Sequence, residues 1–388
     1  MQSGLSARLF ARVLTHASCS IAARHRAAAD AMTDRKPDAA EAPAKATATA
    51  ASQLFNSSDA AEAPGETAAH LLFESTAPPA VRVTRLRRVA VTDGLDVKTR
   101  PLAWTLLLGC TARVDARRYA QLCDGLSDDA QKIRDDARRT FRADDSVRQK
   151  VLDAQIVRCV TALARSRGNE VSNGANRSAV AACFLYALPS ELEAFACFER
   201  LAALCPRYFT PTLDGCVVGA ALVDHILRCI DPARHAALLG DSLLMDDEAR
   251  TPVEDLVAFP LLASLFTCVP PLDEVALLWD STFALGGHFP VLCVVALILE
   301  KGDDCVAHLQ PRRLAPLDAK RIVARACAVA PRVPAALFDV LERHVRDASV
   351  DRAAVAAAAS APATPPTPRR QSDRGSASSG SARKRATT

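Results

Sequence analysis

Between about residue 80 and residue 350 the apolar side chains return every three or four positions, and strict alternation of apolar and polar residues is nearly absent. That period predicts helices. In 151–165 the recurring set is Leu152, Ile156, Val160 and Leu163, and Gly168 ends the run. In 98–109 Trp104, Leu107 and Leu108 share a face that Gly109 closes. Ser190 and Glu193 stand at capping-box spacing ahead of Phe195, Phe198, Leu201 and Cys205, and Pro206 stops that helix. A helix over 213–230 follows, and Asp231-Pro232 supplies an N-cap and a first-turn proline for a short one ending at Gly240. Further helices are predicted over 256–268, 272–285, 290–299, 318–330 and 333–347, with an acidic loop at 241–255 and a turn-rich stretch at 170–176. The fold class predicted is all-α, with the folded part at 81–350.

The two ends differ. Residues 1–80 and 351–388 are rich in Ala, Pro, Ser and Thr without a sustained period, so both are predicted to be disordered extensions. The first 26 residues lack acids and interleave Arg8, Arg12, Arg24 and Arg26 with Leu5, Leu9 and Phe10, the composition of a mitochondrial transit peptide. The competing reading starts the protein at Met32. In the C-terminal extension, Thr367-Pro368 matches a proline-directed kinase pattern and Arg369-Arg370-Gln371-Ser372 a basophilic one.

Composition narrows the function classes. A net charge of +4 over 388 residues lacks the basic excess of a phosphate-tracking surface, which argues against nucleic-acid binding. The thirteen cysteines show neither a CxxC pair nor zinc-ligand spacing and mostly fall within apolar helical patterns, so they read as reduced thiols of a cytoplasmic protein. The sequons at Asn56 and Asn176 are then accidental. The longest apolar runs, 256–271 and 289–299, are interrupted by proline or too short to span a bilayer.

Candidate chemistry lies in 133–141, IRDDARRTF. Ile133, Asp136 and Arg139 are spaced i, i+3 and i+6 along one helical face that Thr140 and Phe141 close. Alone, such a stretch is an exposed charged turn with an ion pair worth ~0–1 kcal/mol. Arg100, four residues before Trp104, reads locally as an arginine stem lying across a buried indole.

The order of these segments resembles the TBC-domain family of GTPase-activating proteins for Rab-type small GTPases. Arg100-x-x-x-Trp104-x-x-Leu107-Leu108-Gly109 is similar to the family's first motif, and Ile133-x-x-Asp136-x-x-Arg139 to the second. Leu188-Pro189-Ser190-Glu191-Leu192, Pro211-Thr212-Leu213-Asp214-Gly215 and Pro270-Pro271-Leu272-Asp273-Glu274, with Leu278-Trp279-Asp280, resemble the Bub2/Cdc16 branch of the spindle checkpoint and septation. The resemblance implies two packed helical subdomains, expected at about 81–205 and 206–350. It also implies a GTP-bound Rab-like small GTPase as partner, with Arg139 as an arginine finger in trans. Ile133, Asp136, Thr140, Arg100 and Trp104 are then expected to support the site or the GTPase interface. The family's Tyr-x-Gln-Gly segment corresponds to Val171-Ser172-Asn173-Gly174, which puts Asn173 in the place of the water-orienting glutamine beside Gly174. No cofactor of the chain's own is expected, because GTP and Mg²⁺ belong to the partner. By the same resemblance a checkpoint scaffold is a further partner, and the spindle pole, centrosome or basal body the place of action. Two readings follow: an active GTPase-activating protein, or a catalytically weak GTPase-binding scaffold.

Overall fold

The computed structural model describes residues 67–75, 78–110, 115–124, 129–142, 144–168, 174–240, 250–302, 306–311 and 313–361. Every regular element among them is helical. No helix among them is long and apolar enough to cross a membrane.

The first half contains α2 (Arg100–Leu108), α3 (Ala116–Cys123), α4 (Ala130–Arg139), the short α5 (Asp145–Arg148), α6 (Asp153–Ser166), α7 (Gly174–Ala187) and α8 (Glu191–Leu204). The stop signals act as their chemistry requires. Gly109 is left-handed (φ 73°), and Cys110 N–H returns to Thr105 O at 2.7 Å, satisfying a carbonyl that the helix end would strand. At α8, Ser190 Oγ accepts from Glu193 N–H at 3.2 Å, while its hydroxyl donates to Glu193 Oε2 at 2.8 Å. The glutamate therefore reaches the serine hydroxyl, where a full capping box would take it to the backbone.

The second half is built on α9 (Asp214–Ile230), which contacts α10 (Pro232–Leu239), α11 (Phe259–Ala263) and α13 (Phe289–Lys301). Asp231 caps α10 by accepting from Arg234 N–H at 3.1 Å. Next come α12 (Leu272–Leu285), α14 (Ala319–Val329) and α15 (Ala335–Arg343). The two halves share one continuous core. At its centre Trp104 of α2 lies 5.7 Å from Phe184 of α7 and 5.0 Å from Phe283 of α12, ring centroid to ring centroid.

Four expectations are corrected. The helix predicted over 256–268 is a π-turn at Glu254–Ala258 followed by α11, which ends at Ala263. Pro260 has no N–H for the ladder, and the chain then reverses through left-handed Leu265 (φ 48°) and Phe266 (φ 68°). The Trp279 indole, donating to Leu265 O at 2.9 Å, holds that reversal without a glycine. Second, the N-terminal extension is ordered before residue 81. A turn at His70–Glu74 buries Leu71 against the next helix, α1 (Pro79–Thr92). Third, α1, assigned to the first subdomain by sequence order, lies chiefly along α12 of the second half. Fourth, the C-terminal extension begins with α16 (Arg352–Ser360), packed on α9 and α15 with Val355 fully buried. An alanine-rich stretch lacks large apolar landmarks, yet alanine is the strongest helix former, and Asp351 Oδ1 caps the helix by accepting from Ala354 N–H at 2.8 Å. Arg352 adds a two-pronged ion pair to buried Glu254.

Two interior histidines make stability depend on pH. His344 is fully enclosed between Tyr208 Oη (2.9 Å from Nε2) and Leu341 O (2.6 Å from Nδ1). Burial lowers its pKa to about 3 and that of buried His288 to about 4. Unfolded histidine takes a proton near 6.5, so below that value the unfolded chain binds more protons than the native one. Stability therefore falls as pH drops from about 6.5 toward about 4, at ~1.4 kcal/mol per pH unit for each histidine. Urea midpoints between about pH 7 and about pH 5 should drop, and less steeply in His288→Gln; a wild-type midpoint that stayed level would contradict this.

Candidate functional site

Asp280 of α12 joins the two halves. Its fully buried carboxylate accepts from Arg100 Nε and Nη2, each at 3.0 Å, from Trp104 Nε1 at 2.7 Å and from Leu95 N–H at 3.0 Å. Arg100 Nη2 also donates to Leu95 O at 2.6 Å. Burial raises the Asp280 carboxyl pKa, and the Arg100 charge and the other donors oppose that rise. Gly94 (φ 77°) makes the turn that brings Leu95 in, and a Cβ there would meet Leu277 at 3.0 Å. The guanidinium does lie near the Trp104 ring, 6.0 Å from its centroid, but its main work is the ion pair. Arg100 and Trp104 are only 6% and 0% exposed, so they support the fold and offer no surface to a GTPase.

A second tie between the halves lies nearby. Tyr186 Oη donates to Asp273 Oδ1 at 2.8 Å, and Lys150 Nζ donates to Tyr186 O at 3.2 Å. Local sequence pattern pairs neither acid with its partner. An acid within the apolar run Val275, Leu278, Trp279, Phe283 was the available signal, because a buried carboxylate requires a partner.

On α4 the expected face is graded in depth. Ile133 and Ala137 are fully buried toward α6 and α7, Asp136 is half-buried and Arg139 is exposed. Asp136 Oδ2 is enclosed and accepts no hydrogen bond, and burial raises this carboxyl pKa against the pull of Lys132 and Arg139. Thr140 ends the helix, with its N–H at 3.0 Å and its Oγ1 at 2.7 Å from Asp136 O. Arg138 instead turns to Asp135, 3.5 Å away in an exposed pair. Lys132, Arg134, Arg138 and Arg139 are all exposed, and Arg138 and Arg139 lie in the last turn, where a helix C-terminus favours positive charge.

Helix α7 starts at Gly174 and packs against α4. Asn173 lies outside the described residues. Burial lowers the pKa of Arg177 in the first turn of α7 to about 10, aided by the Arg167 charge and opposed by Asp129 just before α4. Asn176 is 3% exposed and neither of its amide atoms has a hydrogen-bond partner, which closes that sequon to modification in the folded chain. Beside it lies a cavity of about 10 Å³, also lined by Tyr208, Phe209, Leu213 and Leu265.

Known proteins resemble this chain in sequence and in fold. The Rab-GTPase-TBC domain pattern matches residues 98–304. A Dictyostelium discoideum protein carrying the name mitotic check point protein BUB2 is 34% identical over 258 residues, 65% of this chain and 67% of its own length. Cell division control protein 16 of Schizosaccharomyces pombe is 31% identical over 276 residues, 68% of this chain and 89% of its own. In fold, the crystal structure of the Ypt/Rab-GAP domain of Gyp1p superposes with a TM-score of 0.51 at 16% identity, covering 67% of this chain and 94% of that one. The chain belongs to the Rab-GTPase-TBC domain family, on the branch of BUB2 and cell division control protein 16.

Proposed function

We propose that this protein is a GTPase-activating protein for a Rab-like small GTPase, with Arg139 entering the partner's nucleotide site in trans. The observation that carries this reading is the depth gradient of α4, in which Ile133 and Ala137 are fixed in the core while Arg139 is exposed at the helix end. GTP hydrolysis is slow when charge developing on the transferring phosphoryl group is not neutralised. A guanidinium held against that charge is worth ~10³–10⁵ in rate. A finger on a helix anchored by buried side chains loses little order on docking. Asp136, three residues earlier on the same face and in electrostatic reach of Arg139, positions the arginine and exchanges no proton with substrate. GTP and Mg²⁺ come with the GTPase. The names of the relatives support a role in cell division; a checkpoint scaffold at the spindle pole, proposed as a further partner, rests on the family resemblance alone.

One observation favours a second reading, a GTPase-binding scaffold of low activity. Asn173 stands where the family's glutamine is expected, with its amide one methylene short, and a misplacement of ~1 Å costs ~10²-fold. Single-turnover GTP hydrolysis across a panel of small GTPases separates the two. Acceleration of at least one GTPase by the wild-type chain, increased by Asn173→Gln, is the expected result. Binding to a GTP-loaded member without acceleration of any would leave the scaffold reading standing instead.

A further inference from the structure

The geometry points to Cys110 and Cys197 as a modification site, at which hydrogen peroxide converts two thiols into a reversible disulfide tying the end of α2 to α8. The two Sγ atoms are 3.9 Å apart. No other hydrogen-bonded thiol pair occurs among the described residues; Cys159 meets Tyr119 Oη, Cys268 meets Ser264 Oγ and Cys123 meets Arg158 O. The pair is asymmetric. Cys110 lies just past the Gly109 cap and is half-buried, within reach of a small oxidant, whereas Cys197 sits in the middle of α8 with no exposed surface.

The surroundings favour Cys110 as the first nucleophile. The Arg200 side chain crosses the end of α2, its Nε donating to Leu108 O at 2.8 Å. A hydrogen bond with Cys197 and the Arg200 charge together lower the Cys110 pKa against burial and Glu199, and a thiolate is the form that reacts. A disulfide needs a sulfur separation of ~2.05 Å. Cys110 stands outside the helix, so a χ1 rotation and a small backbone shift bring it in while Cys197 stays in its helix.

The chemistry balances. The Cys110 thiolate attacks one peroxide oxygen, the O–O bond breaks, and hydroxide leaves while the sulfur becomes a sulfenic acid. The Cys197 thiol then attacks that sulfur; the S–S bond forms, the S–O bond breaks, and the departing hydroxide takes the Cys197 proton as water. Both sulfurs are oxidised by one electron each, and one peroxide is reduced to two waters.

The resulting loop contains α4 with Arg139, and its origin is the helix that carries Arg100 and Trp104. Closing a loop of this length restricts the unfolded chain, so the oxidised protein should unfold at a higher urea midpoint than the reduced one. The test uses the full chain under native conditions, exposed to hydrogen peroxide, alkylated, and digested without reduction. Mass spectrometry should find the Cys110 and Cys197 peptides joined with the loss of two hydrogens, released by dithiothreitol and absent in Cys110→Ser. Peroxide should raise the urea midpoint of the wild type and leave that of Cys110→Ser unchanged. Recovery of Cys197 in alkylated form, with Cys110 either alkylated or carried on to sulfinic acid, would overturn the assignment, and this readout needs no variant to fold.

Discussion

Arg139→Ala should reduce the stimulated single-turnover rate of the cognate GTPase by ~10³-fold or more, while leaving the fold and the affinity for the GTP-loaded partner nearly unchanged. The separation of effects follows from depth. Removing an exposed cation from a helix C-terminus costs only ~0.3–1 kcal/mol, and α4 is held by Ile133 and Ala137, both 0% exposed. The loss should fall on the chemical step, since an interaction made only in the transition state contributes to rate and little to binding. Arg138→Ala is the matched control. Arg138 is also exposed, one residue away, and pairs with Asp135 at 3.5 Å. Equal losses from the two variants would mean that α4 supplies only general positive charge, and an unchanged rate in Arg139→Ala would remove the finger from the mechanism.

The largest loss of stability is expected from Asp280→Ala, at ~3–5 kcal/mol, because it strands the Arg100 guanidinium in the interior without its counter-charge. A domain of this kind has only ~5–15 kcal/mol in total. The variant also orphans the Trp104 indole N–H and the Leu95 N–H, both of which donate to this carboxylate. Urea denaturation followed by tryptophan fluorescence reads the effect directly, since Trp104 and Trp279 are the only two tryptophans in the chain. A double variant separates the charge from the packing. Arg100→Met with Asp280→Leu removes both charges, and replacing a buried pair by apolar residues is often close to neutral. It should therefore recover much of what Asp280→Ala loses. If the double variant were no more stable than Asp280→Ala, the cost would lie in shape and not in the unpaired arginine.

Much of the helical frame was legible in the sequence because its signals are local. The period of Ile156, Val160 and Leu163, the left-handed Gly109 and the Ser190 and Asp231 caps depend on residues within a turn of one another, whereas Leu152, expected on the same apolar face, caps α6 and is 53% exposed. The errors came where distant contacts decide. The reversal at Leu265 and Phe266 depends on Trp279, fourteen residues away at its closest bond. Helix α16 depends on Glu254, 98 residues away in sequence. Arg100 does lie beside Trp104, as the spacing predicts, but its main partner is 180 residues distant, and no periodicity links the two. On α4 the face was readable from spacing, whereas the depth gradient along it required the packing of α6 and α7.

The placement of α1 and α16 also bears on where this protein can be cut. The family match runs over 98–304, yet α1 lies before it and α14, α15 and α16 after it, covering apolar faces of α9, α12 and α13. A fragment trimmed to the matched span would put buried apolar surface of those helices into water, an invitation to self-association. The piece expected to fold on its own is therefore longer than the stretch that defines the family, and takes in the turn at His70–Glu74 and α1 before it and α14, α15 and α16 after it. Its borders are drawn by an N-terminal turn and an alanine helix that carry none of the family's motifs.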